Sequence, residues 1–284
     1  MNKISTGWSC GKLIFSGEHS VVYNHPAIAV PVSLGIRVTL TESDGPLVIP
    51  NIDDRLTKAW QTVLPKEGLT VSVESNLPIG AGMGSSAALS IATLRALAQR
   101  DGVEATFAWL YEKGFVMEKM FHGTPSGLDH AVCALQKPIC FLKEGPSIAE
   151  INLPPCTIVV MNSLEPKKTK AMVSHVRENF NRNETILNTI GALTQSIIDN
   201  PDCDLSWLGQ KVTENHQLLS KLGVSTPTLD NLVDTAIAHG AYGAKLAGAG
   251  GGGIALALVD NPDPIQSAIE KMGYECFCLH TSIT

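Results

Sequence analysis

Apolar residues in this chain follow two rhythms, which change over at clusters of glycine, proline and small polar residues. Residues 12–16 and 27–32 are short apolar runs that predict strands, separated by the polar stretch 17–26. Ile36, Val38 and Leu40 alternate with polar residues, the period of a half-buried strand. Leu56, Ala59, Trp60 and Val63 recur at helical spacing, after which Val71 and Val73 alternate again and lead into Leu77-Pro78-Ile79-Gly80. Residues 86–100 combine helical period with strong helix formers, and 105–120 predicts a second helix. Past Gly127 the pattern predicts irregular chain, with strands near 139–142 and 157–161.

The second half reads as richer in helix, over 169–181, 184–199 and 205–221. Thr226-Pro227 has the form of an N-cap followed by proline in the first turn, opening a helix to His239. A glycine loop (248–253), an apolar strand (254–259), a helix and a strand near Cys276 follow. Strand and helix are mixed, without the regular alternation of a doubly wound sheet. Pro154-Pro155 is the best candidate boundary, dividing the chain into 1–153 and 154–284.

Composition adds exclusions. Of 284 residues, 44% are hydrophobic and 17% charged, enough for a sizeable core. Net charge is −6 with no basic block, which argues against a nucleic-acid partner. No apolar run approaches the roughly 20 residues of a membrane helix, and the start lacks the form of a signal peptide, so a cytoplasmic protein is expected. The seven cysteines are scattered, and buried reduced thiols are the expectation for them.

The segment with the clearest chemistry is Gly80-Ala81-Gly82-Met83-Gly84-Ser85-Ser86-Ala87-Ala88, between a predicted strand and a predicted helix. Its glycines permit positive φ and close backbone approach, and the helix start offers unpaired N–H groups to an anion. An ordinary serine-capped glycine turn would look the same in isolation. The spacing fits neither the dinucleotide fingerprint, whose third glycine falls one position later, nor a Walker A loop. The protein-kinase motifs are missing as well.

Together with two further segments, this loop resembles the GHMP kinases, whose members include galactokinase and the homoserine, mevalonate and phosphomevalonate kinases. Gly11-Lys12-Leu13-Ile14-Phe15-Ser16-Gly17-Glu18-His19-Ser20-Val21-Val22-Tyr23 is similar to that family's first motif, and Lys245-Leu246-Ala247-Gly248-Ala249-Gly250-Gly251-Gly252-Gly253 to its third. Gly17-Glu18-His19-Ser20-Val21-Val22 and His122-Gly123-Thr124-Pro125-Ser126-Gly127-Leu128-Asp129 are most similar to the mevalonate kinases within it. The resemblance implies a two-domain α+β fold with an active site in the cleft between domains. The N-terminal domain would resemble ribosomal protein S5 domain 2, and the C-terminal one would be ferredoxin-like. The implied reaction is ATP-dependent and Mg²⁺-dependent phosphorylation of mevalonate, with a homodimer possible on family grounds.

Residue by residue, the resemblance implies Asp129 as catalytic carboxylate and Lys12 as the cation beside it. Such a pair suits attack of a primary hydroxyl on a phosphoryl group, the carboxylate orienting the hydroxyl and taking its proton. Ser75, Gly80, Ala81, Gly82, Met83, Gly84, Ser85 and Ser86 would lie at the nucleotide. Ser86 and Glu118, the latter eleven residues before Asp129, would hold Mg²⁺. Glu18, His19 and Thr169 match substrate-contacting positions. Two positions depart from the family: Cys10 replaces a proline, and Ala247 a Thr or Ser. The competing readings are a related kinase, such as one for phosphomevalonate, and a non-catalytic nucleotide-binding protein on the same fold.

Overall fold

A computed structural model describes residues 3–50, 54–78, 82–122, 126–144 and 147–281. The chain groups into two compact units, Met1–Lys12, Leu34–Ile79 and Met83–Gln136 against Leu13–Ser33, Gly80–Gly82 and Lys137–Thr284. The grouping is interleaved, whereas Pro154-Pro155 lies in the unpaired stretch between two strands. Strand β1 (Ile4–Ser16) leaves the first unit after Lys12, and β2 (Ala27–Pro46) returns to it at Leu34.

In the first unit, the later part of β2 pairs antiparallel with β3 (Glu67–Ser75), with Val38 opposite Val73 and Leu40 opposite Val71. The helices are α1 (Asp54–Gln61), α2 (Ser85–Asp101), α3 (Phe107–His122) and α4 (Leu128–Leu135). Helix α2 is buried almost all round, as its run of Ala and Leu dictates, and packs against α3 and α4. A Cβ on Gly7 of β1 would lie 2.1 Å from the Ala92 carbonyl, so the missing side chain lets strand and helix close together. The Arg95 guanidinium ties this layer by donating to the carbonyls of Trp8 (2.7 Å) and Ala134 (2.9 Å).

The second unit holds the first residues of β2, paired antiparallel with β4 (Ile139–Leu142), which pairs in turn with β5 (Ser147–Glu150). Its other sheet comprises β6 (Thr157–Asn162), β7 (Gly243–Ala247), β8 (Ile254–Val259) and β9 (Glu275–His280). All pairs are antiparallel in the order β7-β8-β6-β9. Taken in chain order that is 2-3-1-4, the ferredoxin-like arrangement. Helices α5 (Thr169–Glu178), α6 (Phe180–Ile198), α7 (Leu205–Lys221), α8 (Pro227–Ala238) and α9 (Asp263–Lys271) complete the unit. Strand β8, Ile-Ala-Leu-Ala-Leu-Val, is buried on both faces, which accounts for its unbroken apolar run.

Three differences from the sequence reading have local causes. The predicted strands 27–32 and 36–40 are one strand, β2, because Ser33-Leu34-Gly35 continues extended rather than turning. The chain past Gly127 is helical, since Gly127 (φ 95°) supplies a left-handed start for the eight-residue α4. All seven cysteines are free as expected, but Cys140, Cys276 and Cys278 are only half-buried. Among the described residues, no helix is long and apolar enough to cross a membrane.

Candidate active site

In the first unit, β1, the glycine loop and three helices converge on Lys12. Its ammonium lies 3.0 Å from Asp129 Oδ1, with the lysine side chain 6% exposed and the aspartate 34%. The Lys12 backbone N–H donates to the Met83 carbonyl (2.9 Å), fastening β1 to the loop. A Cβ on Gly84 would stand 2.9 Å from Lys12 Cγ, so the lysine stem runs through the space that glycine leaves. Gly84, at φ 70°, also precedes α2 as a left-handed N-cap with no side-chain cap. The first N–H groups of α2 therefore have no capping side chain from Gly84, the arrangement that favours an anion. Asp129 sits in the first turn of α4, where a negative charge suits the helix dipole.

Glu118 of α3 completes this cluster. It is buried (2% exposed) and hydrogen-bonds Ser86 of α2. Burial, and then the charge of Asp129, push its carboxyl up from 4.5 to about 7, against the opposing influence of Ser86 and Lys12. Glu118 is thus a buried acid beside a second carboxylate and a hydroxyl, with Lys12 acting on it as a cation. That donor set, hard oxygens with few protein ligands, fits Mg²⁺, which commonly takes one or two protein oxygens and fills its shell with water and phosphate. Among the described residues there is no cluster of three or more His, Cys, Asp or Glu.

The second unit carries the rest of the first motif. Gly17 turns the chain at φ 94°, and His19 follows at φ 62°, ψ −46°. His19 Nε2 lies 2.9 Å from the Ala249 carbonyl in the third glycine loop. A carbonyl only accepts, so Nε2 carries the proton. Burial lowers the affinity of the ring for a second proton, and Nδ1 keeps its lone pair. Glu18 is buried, ion-paired with Lys245 through Oε1 and accepting from Asn215 Nδ2 (3.1 Å) through Oε2.

The third loop is tightly tied. Gly251 N–H donates to the Val224 carbonyl (2.8 Å), Gly253 N–H to the Glu165 carbonyl (3.0 Å), and Ser163 Oγ to the Gly253 carbonyl (2.7 Å). Lys167, which the sequence reading passed over, lies against both glycine loops. A Cβ at Gly82 would fall 1.5 Å from its Nζ, and one at Gly253 2.5 Å from its Cε. The signal available for it was a lysine two residues before Thr169.

The predicted residues are thus placed as follows. Lys12, Asp129, Glu118, Ser86, Met83 and Gly84 come together in the first unit; Ser85 is exposed at the start of α2. Glu18 and His19 lie with the third loop, and Gly82 beside Lys167, in the second. Thr169 is the exposed first residue of α5, next to Lys168, whose Cβ approaches Gly251. Ser75 stands apart at the end of β3, its hydroxyl accepting from Leu77 N–H (3.2 Å). Gly80 and Ala81 lie outside the described residues.

A buried lysine paired with a carboxylate beside a glycine loop, with the acid Glu118 one helix away, is the arrangement of a phosphotransferase site. Family models agree: the GHMP kinases N terminal domain matches residues 54–137 and the GHMP kinases C terminal matches 200–277. The mevalonate kinase of Thermococcus sibiricus is 31% identical, covering 92% of this chain and 91% of its own. That of Candida albicans is 34% identical over 94% of this chain and 85% of its own. The crystal structure of L. major mevalonate kinase in complex with R-mevalonate superposes with a TM-score of 0.84 at 24% identity, over 100% of this chain and 98% of that one. The chain belongs to the GHMP kinases, and as a member it is an ATP-using kinase of the two-domain fold.

Proposed function

We propose that this GHMP kinase phosphorylates the primary hydroxyl of mevalonate, giving 5-phosphomevalonate. The observation that carries the reading is the 3.0 Å pair between Lys12 and Asp129, with the lysine stem buried beneath Gly84. The names of the relatives select the substrate.

Asp129 orients the attacking hydroxyl and takes its proton as the oxygen bonds to the γ-phosphorus and the bond from that phosphorus to the ADP oxygen breaks, ADP leaving. Lys12 stabilises charge on the transferring group. Helix α2 presents the N–H groups of its first turn, with Ser85, to the phosphates. Ser86 and Glu118 would hold Mg²⁺, which would supply neutralisation of phosphate charge. His19, neutral and with Nδ1 as acceptor, meets a substrate hydroxyl; Glu18 and Thr169 belong to the same end of the site. A cytoplasmic homodimer is the assembly expected of such an enzyme.

A coupled ADP assay with Mg²⁺ across mevalonate, phosphomevalonate, homoserine and galactose tests this. ADP release only with mevalonate is expected. Turnover confined to another alcohol refutes the substrate, and ATP binding without turnover of any alcohol refutes the enzyme.

A further inference from the structure

Both oxygens of Glu18 are already engaged within the second unit. Oε1 pairs with Lys245, which is wholly buried on β7, and Oε2 accepts from Asn215, wholly buried on α7. Their separation along the sequence is large, 227 and 197 residues, so the network forms only once this unit has folded. The two partners sit on elements held in unusually close contact. A Cβ on Gly243 would lie 1.8 Å from the Gly209 carbonyl, and Ala244 N–H donates to Thr213 Oγ1 (3.2 Å). Helix α7 and β7 therefore form a stiff platform, and Glu18 is the point at which the first-motif loop is bolted to it.

The residue bolted next is His19. Its φ of 62° lies in a region that side-chain-bearing residues rarely occupy, and such a conformation persists only where the surroundings over-determine it. On one side it is held by the Glu18 network, on the other by the Ala249 carbonyl. The rest of the loop is anchored separately, with Tyr23 stacked on Phe180 (ring centroids 4.8 Å apart) and His25 bonded to Asn188 (3.0 Å). Removing the Glu18 clamp thus frees His19 without releasing the loop.

We propose that Lys245 and Asn215 are positioning residues for the alcohol substrate, acting through the Glu18 carboxylate on the orientation and tautomer of His19. Glu18 serves as the anchor in this arrangement rather than as a substrate ligand. The inference rests on the mevalonate reading for its kinetic arm and is independent of it for its spectroscopic arm.

The test compares Asn215→Leu, Lys245→Met and the double variant Glu18→Gln/Lys245→Met with the wild type. Asn215→Leu keeps volume and leaves both charges paired; the double variant strands neither charge, so it covers the case where Lys245→Met fails to fold. Loss of a residue that orients a site group costs about 10- to 100-fold in activity. The mevalonate KM is therefore expected to rise at least about tenfold in Asn215→Leu and in the double variant, with the ATP KM within about twofold of wild type.

In ¹⁵N-histidine-labelled protein at pH 7, the His19 ring is expected to show the Nε2–H tautomer in the wild type. The signal, assigned by its loss in His19→Asn, is expected to move to a tautomer mixture in the variants. Folded variants with unchanged mevalonate KM and an unchanged ring spectrum overturn the proposal. A wild type that releases no ADP with mevalonate refutes the substrate instead, and the ring spectrum still decides the positioning.

Discussion

Replacing Glu118 by glutamine separates what the active site needs from what the fold prefers. In the folded protein the Glu118 carboxyl is raised from 4.5 to about 7, chiefly by burial and then by Asp129. A carboxyl whose folded value is raised contributes stability below its unfolded value and loses it as pH rises through the folded one. Between pH 4.5 and pH 7, stability therefore falls, and above about pH 7 the loss is complete. A shift of that size corresponds to about 3 kcal/mol, since each pKa unit is worth about 1.4 kcal/mol. Glutamine keeps the shape and stays neutral, so Glu118→Gln is expected to be more stable than wild type by up to about 3 kcal/mol at pH 8. At pH 4, below both the unfolded and the folded value, the two should nearly match. For a chain of this size that is roughly 5 to 10 °C in Tm, read by thermal unfolding at both pH values without nucleotide.

The same substitution removes a proposed Mg²⁺ ligand, so the coupled ADP assay should fall at least about a hundredfold. A stability gain with a loss of turnover is the signature of a group kept for function. A Glu118→Gln protein less stable than wild type at pH 8 would refute the electrostatic argument. Near-normal turnover would remove Glu118 from the metal site.

Three further outcomes follow from the same geometry. Asp129→Asn should retain ATP binding by calorimetry while turnover drops at least about a hundredfold, the scale of a lost general base. Gly84→Ala should give folded but nearly inactive protein, because the new Cβ meets Lys12 Cγ at 2.9 Å and φ is 70°; normal kinetics would show that the lysine stem yields freely. His130 is 1% exposed, its Nε2 has no hydrogen-bond partner among the described residues, and it packs on Tyr111 with ring centroids 4.6 Å apart. Burial lowers its pKa from 6.5 to about 4, so stability present above pH 6.5 should fall by up to about 3 kcal/mol as pH drops towards 4. Denaturant unfolding of His130→Leu should lack that share of the acid loss, and an unchanged pH profile would refute it.

The fold was legible wherever a single segment carried its own signal. Helix α7 and strand β8 were read to the residue, because one shows a sustained helical period and the other a buried apolar run between turns. Helix α4 was missed because eight residues span barely two turns, too few for periodicity to emerge from the glycine and proline before it. The site divides the same way. The glycine loop announces a phosphate, but Lys12 and Asp129 acquire meaning only from the family resemblance, since nothing local pairs residues so far apart. The roles of Lys245 and Asn215 were invisible for that reason, and Lys167 because its distinction lies in the two glycines it touches.

The bare α-carbon of Gly84 has one more consequence, for the protein's history. The position and Lys12 share one volume, so no side chain fits at 84 while the lysine stem keeps its path. A larger residue at 84 is tolerable only with a shorter one at 12, and that exchange discards the charge beside Asp129. A pairwise mutational scan of positions 12 and 84 should therefore find that residues larger than glycine at 84 are tolerated, if at all, only beside a shorter residue at 12.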